Sequence, residues 1–169
     1  MLKKREIKNI RFSCIRCSKC CKLDVPIVLS DIELWVKKGR YDIVLNVVKK
    51  RSSNTLRKYF GLEFYYTFKR KESSGECVFL KDGMCTIYSL RPLVCRLFPF
   101  AYSENELSVH PWALKNCNGL GRGKLFSKKE ISILRLLAKK IFIELTMLPY
   151  YSTFIDEIIE KVKKHERNQ

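Results

Sequence analysis

Acidic residues, histidines and long apolar runs are scarce in this sequence. It has 17 Asp and Glu against 34 Lys and Arg, and two histidines. No apolar run approaches the ~20 residues that a transmembrane helix needs, and the charged N-terminal segment MLKKREIKNIRFSC lacks the apolar stretch of a secretory signal. We therefore expect a cytoplasmic protein without a transmembrane segment. No Ser/His/Asp set with any sequence logic indicates triad chemistry.

Cysteine, by contrast, is abundant, with eight in 169 residues. A chain of this length can bury a core without disulfides. The even count would suit a disulfide framework, but thiols stay reduced in the cytoplasm. We therefore interpret the cysteines as metal or cluster ligands, with disulfides or inert buried thiols as the alternatives.

The stretch CIRCSKCC places four of these thiols in residues 14–21. Two residues between Cys14, Cys17 and Cys20 allow a tight turn to aim successive sulfurs at one point, at the ~2.3 Å of a sulfur–metal bond. Three thiols at this interval are also how a short loop wraps three corners of an iron–sulfur cube. Because Cys21 points away from Cys20, we expect it to reach a second site or to take a supporting role.

The other four cysteines lie at predicted turns and element ends. Asp82-Gly83 is a strong hairpin signal, and a short helix between Pro92 and Pro99 carries one thiol near its end. A glycine-rich segment, CNGLGRGK, begins at the last cysteine and should let backbone N–H groups approach sulfur. Four thiols in each half allow two sites of four; the second group is Cys77, Cys85, Cys95 and Cys117.

Three residues near these cysteines have open interpretations. His110 is either an auxiliary ligand or an ordinary packed histidine. Arg91 and Arg96 flank Cys95 and either balance a cluster's charge or pair with acidic neighbours.

Local patterns predict the secondary structure. We expect a first helix capped by Ser30 or Asp31 and ending at Gly39, a second helix over 41–50 and a strand over 63–68. Two hairpins follow, the second turning at Glu104-Asn105. Ser127 and Glu130 form a capping box for a helix that should stop near Leu148-Pro149, before a last helix over 152–164.

These elements predict an α+β, mainly helical fold. It is a small irregular domain with short β-hairpins around a cysteine metal site and a C-terminal helical pair. We expect one domain over residues 1–169, with the motif-bearing part at 14–124 and the C-terminal helices at 127–165.

The formal charge of +17 needs a correction, because ligands are thiolates. Two sites of four thiolates at about −2 each would leave about +13. The lysines and arginines are scattered, which is typical of a solvated surface. They also suit an acidic partner, either a protein, an anionic membrane or nucleic acid, although no nucleic-acid recognition motif is present.

Together these residues resemble the YkgJ family, the CxxCxxCC zinc- or iron-chelating domain. The resemblance covers about residues 14–124 and all eight cysteines. It includes Tyr88, Arg91-Pro92, Cys95-Arg96 and Phe98-Pro99, with Asn118 where the family has proline. A similar cysteine domain in flagellin lysine N-methylases implies an enzymatic alternative.

Three functions follow as hypotheses. The first is an iron–sulfur protein, with a 4Fe-4S cluster, acting in electron transfer, redox sensing or as an accessory to a modifying enzyme. The second is a zinc-stabilised interaction module whose basic surface meets a partner. The third is a protein lysine methylase. The triad spacing and the family resemblance favour iron; thiolate ligands alone suit both metals.

Overall fold

The computed structural model describes residues 7–103 and 106–168. Its α-helices are α1 Leu29–Lys37, α2 Tyr41–Val44, α3 Asn54–Phe60, α4 Leu93–Leu97, α5 Pro111–Asn116 and α6 Lys128–Arg167. Its strands are β1 Arg11–Phe12, β2 Val47–Arg51, β3 Phe64–Phe68, β4 Leu80–Lys81, β5 Met84–Cys85, β6 Phe100–Ser103, β7 Glu106–Val109 and β8 Leu120–Leu125. Helices dominate, and the strands are short, so the predicted mainly helical α+β class is confirmed.

The eight strands of the described residues pair antiparallel in twos. The ribbons are β1–β8, β2–β3, β4–β5 and β6–β7. Three of them join neighbouring strands, whereas β1–β8 joins the two ends of the cysteine-bearing part of the chain. Because no ribbon in residues 7–103 and 106–168 has a full third strand, stability must come from packing against helices.

The two predicted hairpins are confirmed. Between β4 and β5, Asp82 and Gly83 have φ of 49° and 73°, the left-handed pair that a two-residue turn requires. The strands β6 and β7 pair with Phe100 opposite Val109. The residues predicted to form their turn, Glu104-Asn105, lie outside the described residues.

The helix predicted over 41–50 is wrong in its second half. Helix α2 ends at Val44, and from Val47 the chain is a strand whose residues pair with β3, Val47 opposite Phe68. Consecutive β-branched residues favour a strand once a partner is present. The predicted strand over 63–68 supplies that partner.

Helix α1 begins slightly earlier than expected. Val28, not Ser30 or Asp31, occupies the cap position, and Asp31 sits in the first turn with its Oδ2 accepting the Val28 N–H at 3.2 Å. The helix ends beside Gly39, as predicted, where a φ of 65° turns the chain.

Helix α6 begins as predicted but does not stop where predicted. Ser127 and Glu130 form the capping box, with N–H to oxygen distances of 2.7 and 3.2 Å. The expected break at Pro149 is wrong, because one 40-residue helix runs through it and replaces the predicted helical pair. A proline costs a helix about one hydrogen bond, and burial of Leu145, Leu148 and Ile155 on one continuous face offsets it. No described helix, α6 included, is both long and apolar enough to cross a membrane.

The core lies between α1, the β2–β3 ribbon and α6. Trp35 is fully buried, its ring lies 5.3 Å from that of Phe68, and its Nε1 donates to the Leu90 carbonyl at 2.8 Å. The Tyr66 hydroxyl donates to Asp156 of α6 at 2.7 Å. Buried apolar residues from these elements form one cluster; the single-domain organisation stays a prediction.

Candidate metal centre

The first cysteine loop, residues 14–21, turns on two left-handed residues. Arg16 and Ser18 have φ of 54° and 55°, which side-chain-bearing residues adopt infrequently. The Ser18 carbonyl accepts the N–H of Cys21 at 2.8 Å, at the start of the 3-10 turn Lys19–Lys22. These turns let all four thiols of the loop reach one cavity.

The β4–β5 hairpin carries the next two thiols. Cys77 precedes β4, Cys85 ends β5 opposite Leu80, and each sulfur accepts a backbone N–H from two residues further on, Phe79 and Ile87. Such N–H···S bonds stabilise a thiolate and so suit a metal ligand. The Cys77 N–H also donates to the Cys21 carbonyl at 2.9 Å, which fixes the first loop to the hairpin.

Cys95 lies on the short helix α4, as predicted. Its N-cap residue is Pro92, which makes no side-chain cap hydrogen bond. The first N–H of this helix, on Leu93, instead donates to Asp31 Oδ1 at 2.9 Å. Since Asp31 is buried in α1, its carboxyl ties α4 to the scaffold. Burial raises the pKa of Asp31 to about 7, against the lowering effect of its two backbone hydrogen bonds.

Cys117 ends α5, where its N–H donates to the Ala113 carbonyl at 2.9 Å. The chain then returns along the first loop, and the Gly119 carbonyl accepts the Ser13 N–H at 3.1 Å. A Cβ on Gly119 would lie 2.5 Å from the Ser13 oxygen. The glycine therefore permits close backbone approach between the two ends of the cysteine region; the predicted contact of glycine N–H groups with sulfur stays a prediction.

All eight cysteines line one cavity of about 510 Å³. Cys14 is exposed and the other seven are partly buried, all as free thiols. Aromatic rings form much of the remaining wall: Phe12, Phe68, Phe79, Tyr88, Phe98 and Trp112. The structure thus brings together every cysteine predicted as a ligand; ligation itself stays a prediction.

Charge on Cys21 raises the pKa of three other thiols, and we call Cys21, Cys77, Cys85 and Cys95 the inner set. Burial is the main cause that raises the pKa of the last three, and charge on other members raises it further. For Cys21, the hydrogen bond with Cys20 raises the pKa most, followed by burial. Without a cation these thiols stay protonated, and a bound metal reverses that preference.

Two arginines oppose this rise. Arg70 lowers the pKa of Cys21 and Cys77, and its guanidinium is held in place by donation to the Cys21 carbonyl at 2.6 Å and to Asp24 at 2.9 Å. Arg91 lowers the pKa of Cys85. Both positive charges are therefore placed to balance thiolates.

Arg91 and its neighbour Arg96 are used differently. The Arg91 guanidinium lies 3.9 Å from the centre of the Tyr88 ring, which also contacts Arg16 at 4.5 Å. Arg96 donates to the Arg91 carbonyl at 2.9 Å and lowers the pKa of Asp31. Arg91 thus fits the charge-balance interpretation. Arg96 donates to the carbonyls of Arg91 and Ser89, and its pairing with an acidic neighbour stays a prediction.

His110 acts as a helix cap. Its Nδ1 accepts the Trp112 N–H at 3.1 Å, and burial lowers its pKa. That contact occupies one ring nitrogen and fits the ordinary packed histidine better than the auxiliary ligand.

Sequence reasoning missed two residues of the site. Arg70 stands in a run of basic residues, KRK, that reads as solvated surface, and only the bridge between Arg70 and Cys77 brings it to the thiols. Asp31 was expected at the cap position but lies in the first turn, and its second partner, Leu93, lies 62 positions away. Neither had a local signal.

The eight thiols line one cavity, but they do not converge on the position of a single metal ion. In residues 7–103 and 106–168, no three Cys, His, Asp or Glu side chains lie together as ligands of one metal ion. Four sulfurs at ~2.3 Å from zinc would stand about 3.8 Å apart. A cluster that binds each thiolate through a different iron tolerates wider separations and needs more volume. The donor set, all soft thiols, fits either group.

Fold and site define a class: a small cysteine-cluster protein in which eight thiols, carried by loops and a hairpin on a helical scaffold, surround one cavity. Residues 13–118 match the family model CxxCxxCC, described as a "putative zinc- or iron-chelating domain". The chain belongs to this CxxCxxCC family, as the sequence resemblance predicted.

One relative is an uncharacterised protein of Methanocaldococcus jannaschii. It is 33% identical over 139 residues, which cover 74% of this chain and 71% of the relative. No solved structure shows significant similarity to the chain.

Proposed function

We propose that this is an iron–sulfur protein that holds its metal through Cys14, Cys17, Cys20, Cys21, Cys77, Cys85, Cys95 and Cys117. The observation that carries the proposal is that all eight thiols line the same cavity. Eight cysteines scattered over 104 positions would not converge on one space for the sake of core packing alone, since seven of the residues are only partly buried and Cys14 is exposed.

The eight thiols divide into two sets of four. The inner set (Cys21, Cys77, Cys85 and Cys95) is supported by the effect of Cys21 on the pKa of the other three thiols and by the Cys77–Cys21 backbone hydrogen bond. The outer set comprises Cys14, Cys17, Cys20 and Cys117, and its support is the pairing of β1 with β8, which lays the first loop beside the chain that follows Cys117. In this division Cys21 serves a different site from its neighbour Cys20. The Cys21 thiol does not point away from Cys20 as expected, because the two thiols are hydrogen-bonded, so the two sites would adjoin at this pair.

The spacing of the first three cysteines and the volume of the cavity favour iron over zinc. The Cys-x2-Cys-x2-Cys run is the loop pattern of a cube, and the cavity that the thiols line, about 510 Å³, has room for a cluster. A cluster bound there supplies one-electron transfer.

The protein's own residues prepare the cavity for such a group. Arg70 and Arg91 place positive charge beside inner-set sulfurs, which offsets the negative charge of four thiolates. Phe68, Phe79 and Phe98 exclude water from the wall. Cys14 is exposed, so the outer set offers the shorter path for electrons to a partner. The role is electron transfer, redox sensing or accessory to a modifying enzyme.

Metal analysis of protein purified without oxygen tests the proposal. We expect absorbance near 400 nm and about eight irons and eight acid-labile sulfides per chain if both sets hold a cube, or about four if one does. Cys95→Ala should remove the iron and sulfide bound by the inner set, and Cys17→Ala those bound by the outer set. Ser18→Ala, between the ligands, should change neither amount. One or two zinc ions with no visible band would overturn the iron proposal.

The hairpin favours zinc as a second candidate. Cys77 and Cys85, each accepting an N–H from two residues on, form an arrangement that also suits a structural zinc ion. In that case the protein is an interaction module, and its excess of Lys and Arg, 34 against 17 acidic residues, would bind an acidic partner, protein or nucleic acid. Salt-sensitive binding by the zinc-loaded protein would support it.

A further inference from the structure

Helix α6 has two apolar faces, and only one of them packs against the rest of the described chain. The buried face packs on the core through residues that include Ile131, Ala138, Ile141, Leu145 and Leu148. On the other side stand six large apolar side chains that we call the outer seam, with exposed fractions of 44–82%: Ile133, Leu136, Ile143, Met147, Tyr150 and Phe154.

The outer seam has the spacing of a coiled coil. Its members follow one another by 3, 7, 4, 3 and 4 positions, and Lys140 fills the one missing place in the alternation of 3 and 4. Apolar residues at that alternation are the a and d positions of a heptad, whose natural partner is another helix. Pro149 lies off the seam, so it does not interrupt the contact surface.

The area is sufficient for association. Burying six such side chains with their stems would remove on the order of 600 Å² from each copy, near the lower limit for a specific interface. Monomers rarely expose a contiguous apolar patch of that size without a use for it. The seam is 22 residues long, from Ile133 to Phe154, and matches a helix of the same kind.

We propose that the outer seam binds the outer seam of a second copy of this chain, with the two α6 helices antiparallel. In a parallel pair, Lys140 would face Lys140 of the partner copy, two like charges at a central position. In the antiparallel pair, Lys140 faces Tyr150 of the partner copy, where the ring accepts a cation. The arrangement is a two-fold dimer.

The antiparallel register forms matched layers. Leu136 meets Phe154 of the partner copy, and Ile143 meets Met147, each layer occurring twice through the two-fold axis. The Lys140 ammonium already lies 3.7 Å from Glu144 of its own helix, so its charge stays compensated while its stem covers the seam.

The salt response distinguishes this dimer from binding to an acidic partner. Two chains of the same strong positive charge repel each other at long range. Added salt screens that repulsion, so we expect the dimer to strengthen with salt, whereas contact with an acidic partner would weaken.

Sedimentation of the metal-loaded full chain tests the proposal. We expect a dimer at about 100 µM, and Leu136→Glu or Met147→Glu should weaken dimerisation by at least about 30-fold, because each removes an apolar anchor from both copies. Arg135→Glu, exposed and next to the seam, should leave the dimer intact. Circular dichroism and metal content, unchanged in the variants, establish that each is folded. A wild-type monomer at this concentration, or equal effects of Arg135→Glu and Leu136→Glu, would overturn the proposal.

A charge exchange tests the orientation. Leu136→Lys and Phe154→Glu should each abolish the dimer, and the double variant should regain it, because the two new charges meet only in the antiparallel register. A double variant that stays as weak as either single variant contradicts that register.

Discussion

The two sides of this molecule are held together by different means. On the scaffold side, α1, the β2–β3 ribbon and α6 bury Trp35, Ile32 and Ile155 without any exposure. On the cysteine side, the strands β4 and β5 have two residues each, and every cysteine keeps contact with solvent. The scaffold can therefore fold by apolar burial, whereas the cysteine side depends on what its thiols bind.

Metal removal should separate the two sides most strongly. With chelator and reductant, we expect the amides of residues 14–21 and 77–95 to lose protection from hydrogen exchange almost completely, because metal binding contributes folding free energy there. Amides of β2, β3 and the middle of α6 should stay protected. Mass-spectrometric hydrogen exchange measures both.

Equal loss of protection on both sides would contradict this comparison and would mean that the scaffold, too, depends on the metal. Re-addition of iron and sulfide should restore the protection if the loss is due to the site.

Trp35→Ala should sharpen the comparison from the scaffold side. Removing this buried ring leaves a cavity and an unpaired Leu90 carbonyl, so the free energy of unfolding should fall by about 3–5 kcal/mol. Tyr59→Ala, at a residue 58% exposed, should cost less than about 0.5 kcal/mol. Urea unfolding followed by circular dichroism gives both values; similar losses for the two variants would be inconsistent with a core centred on Trp35.

Asp31→Ala tests the hydrogen bond that connects α4, on the cysteine side, to α1, on the scaffold side. The change leaves the N–H groups of Val28 and Leu93 without their acceptor, so we expect a loss of about 2 kcal/mol in unfolding free energy. Loss of protection should extend to the α4 amides beside Cys95. The control is Asp42→Ala, an exposed carboxylate paired with Arg40 at 2.8 Å, which should cost less than about 1 kcal/mol. If the α4 amides are equally protected from hydrogen exchange in both variants, Asp31 does not connect the two sides.

Ser127→Ala should have the smallest effect. It removes the acceptor of the Glu130 N–H at the start of α6, with an expected cost of about 1 kcal/mol. Ser132→Ala, one turn further along the same helix, should be close to neutral because alanine favours helix. Thermal unfolding of the two variants compares them directly, and a cost for Ser132 equal to that for Ser127 would argue against the cap.

Features with short-range causes could be predicted from the sequence. The turn at Asp82-Gly83, the capping box of Ser127 and Glu130, and the strand that became β3 each rest on residues within a few positions of one another. The eight cysteines could be chosen as candidates for the same reason, because their residue type and spacing carry the chemistry.

Features that depend on contacts between distant residues could not be predicted from the sequence. Val47 is found in a strand because β3 pairs with it, and α6 passes Pro149 because its buried face continues to Ile155 on the far side. The position of Arg70 among the thiols and the second role of Asp31 also arise only once the chain has folded. Local propensity is overridden wherever burial or pairing supplies more free energy than it costs.

The pairing of β1 with β8 has a consequence for the synthesis of the chain. Arg11 of β1 donates to the Gly123 carbonyl, 112 positions later, so the first strand has no partner while the intervening residues are being made. At about 5–20 residues per second, a ribosome needs on the order of 10 s to cover that interval. During that time Cys14, Cys17 and Cys20 lack the strand pairing that places them beside Cys117, so the outer set that we propose would become complete only when translation of the cysteine region has ended.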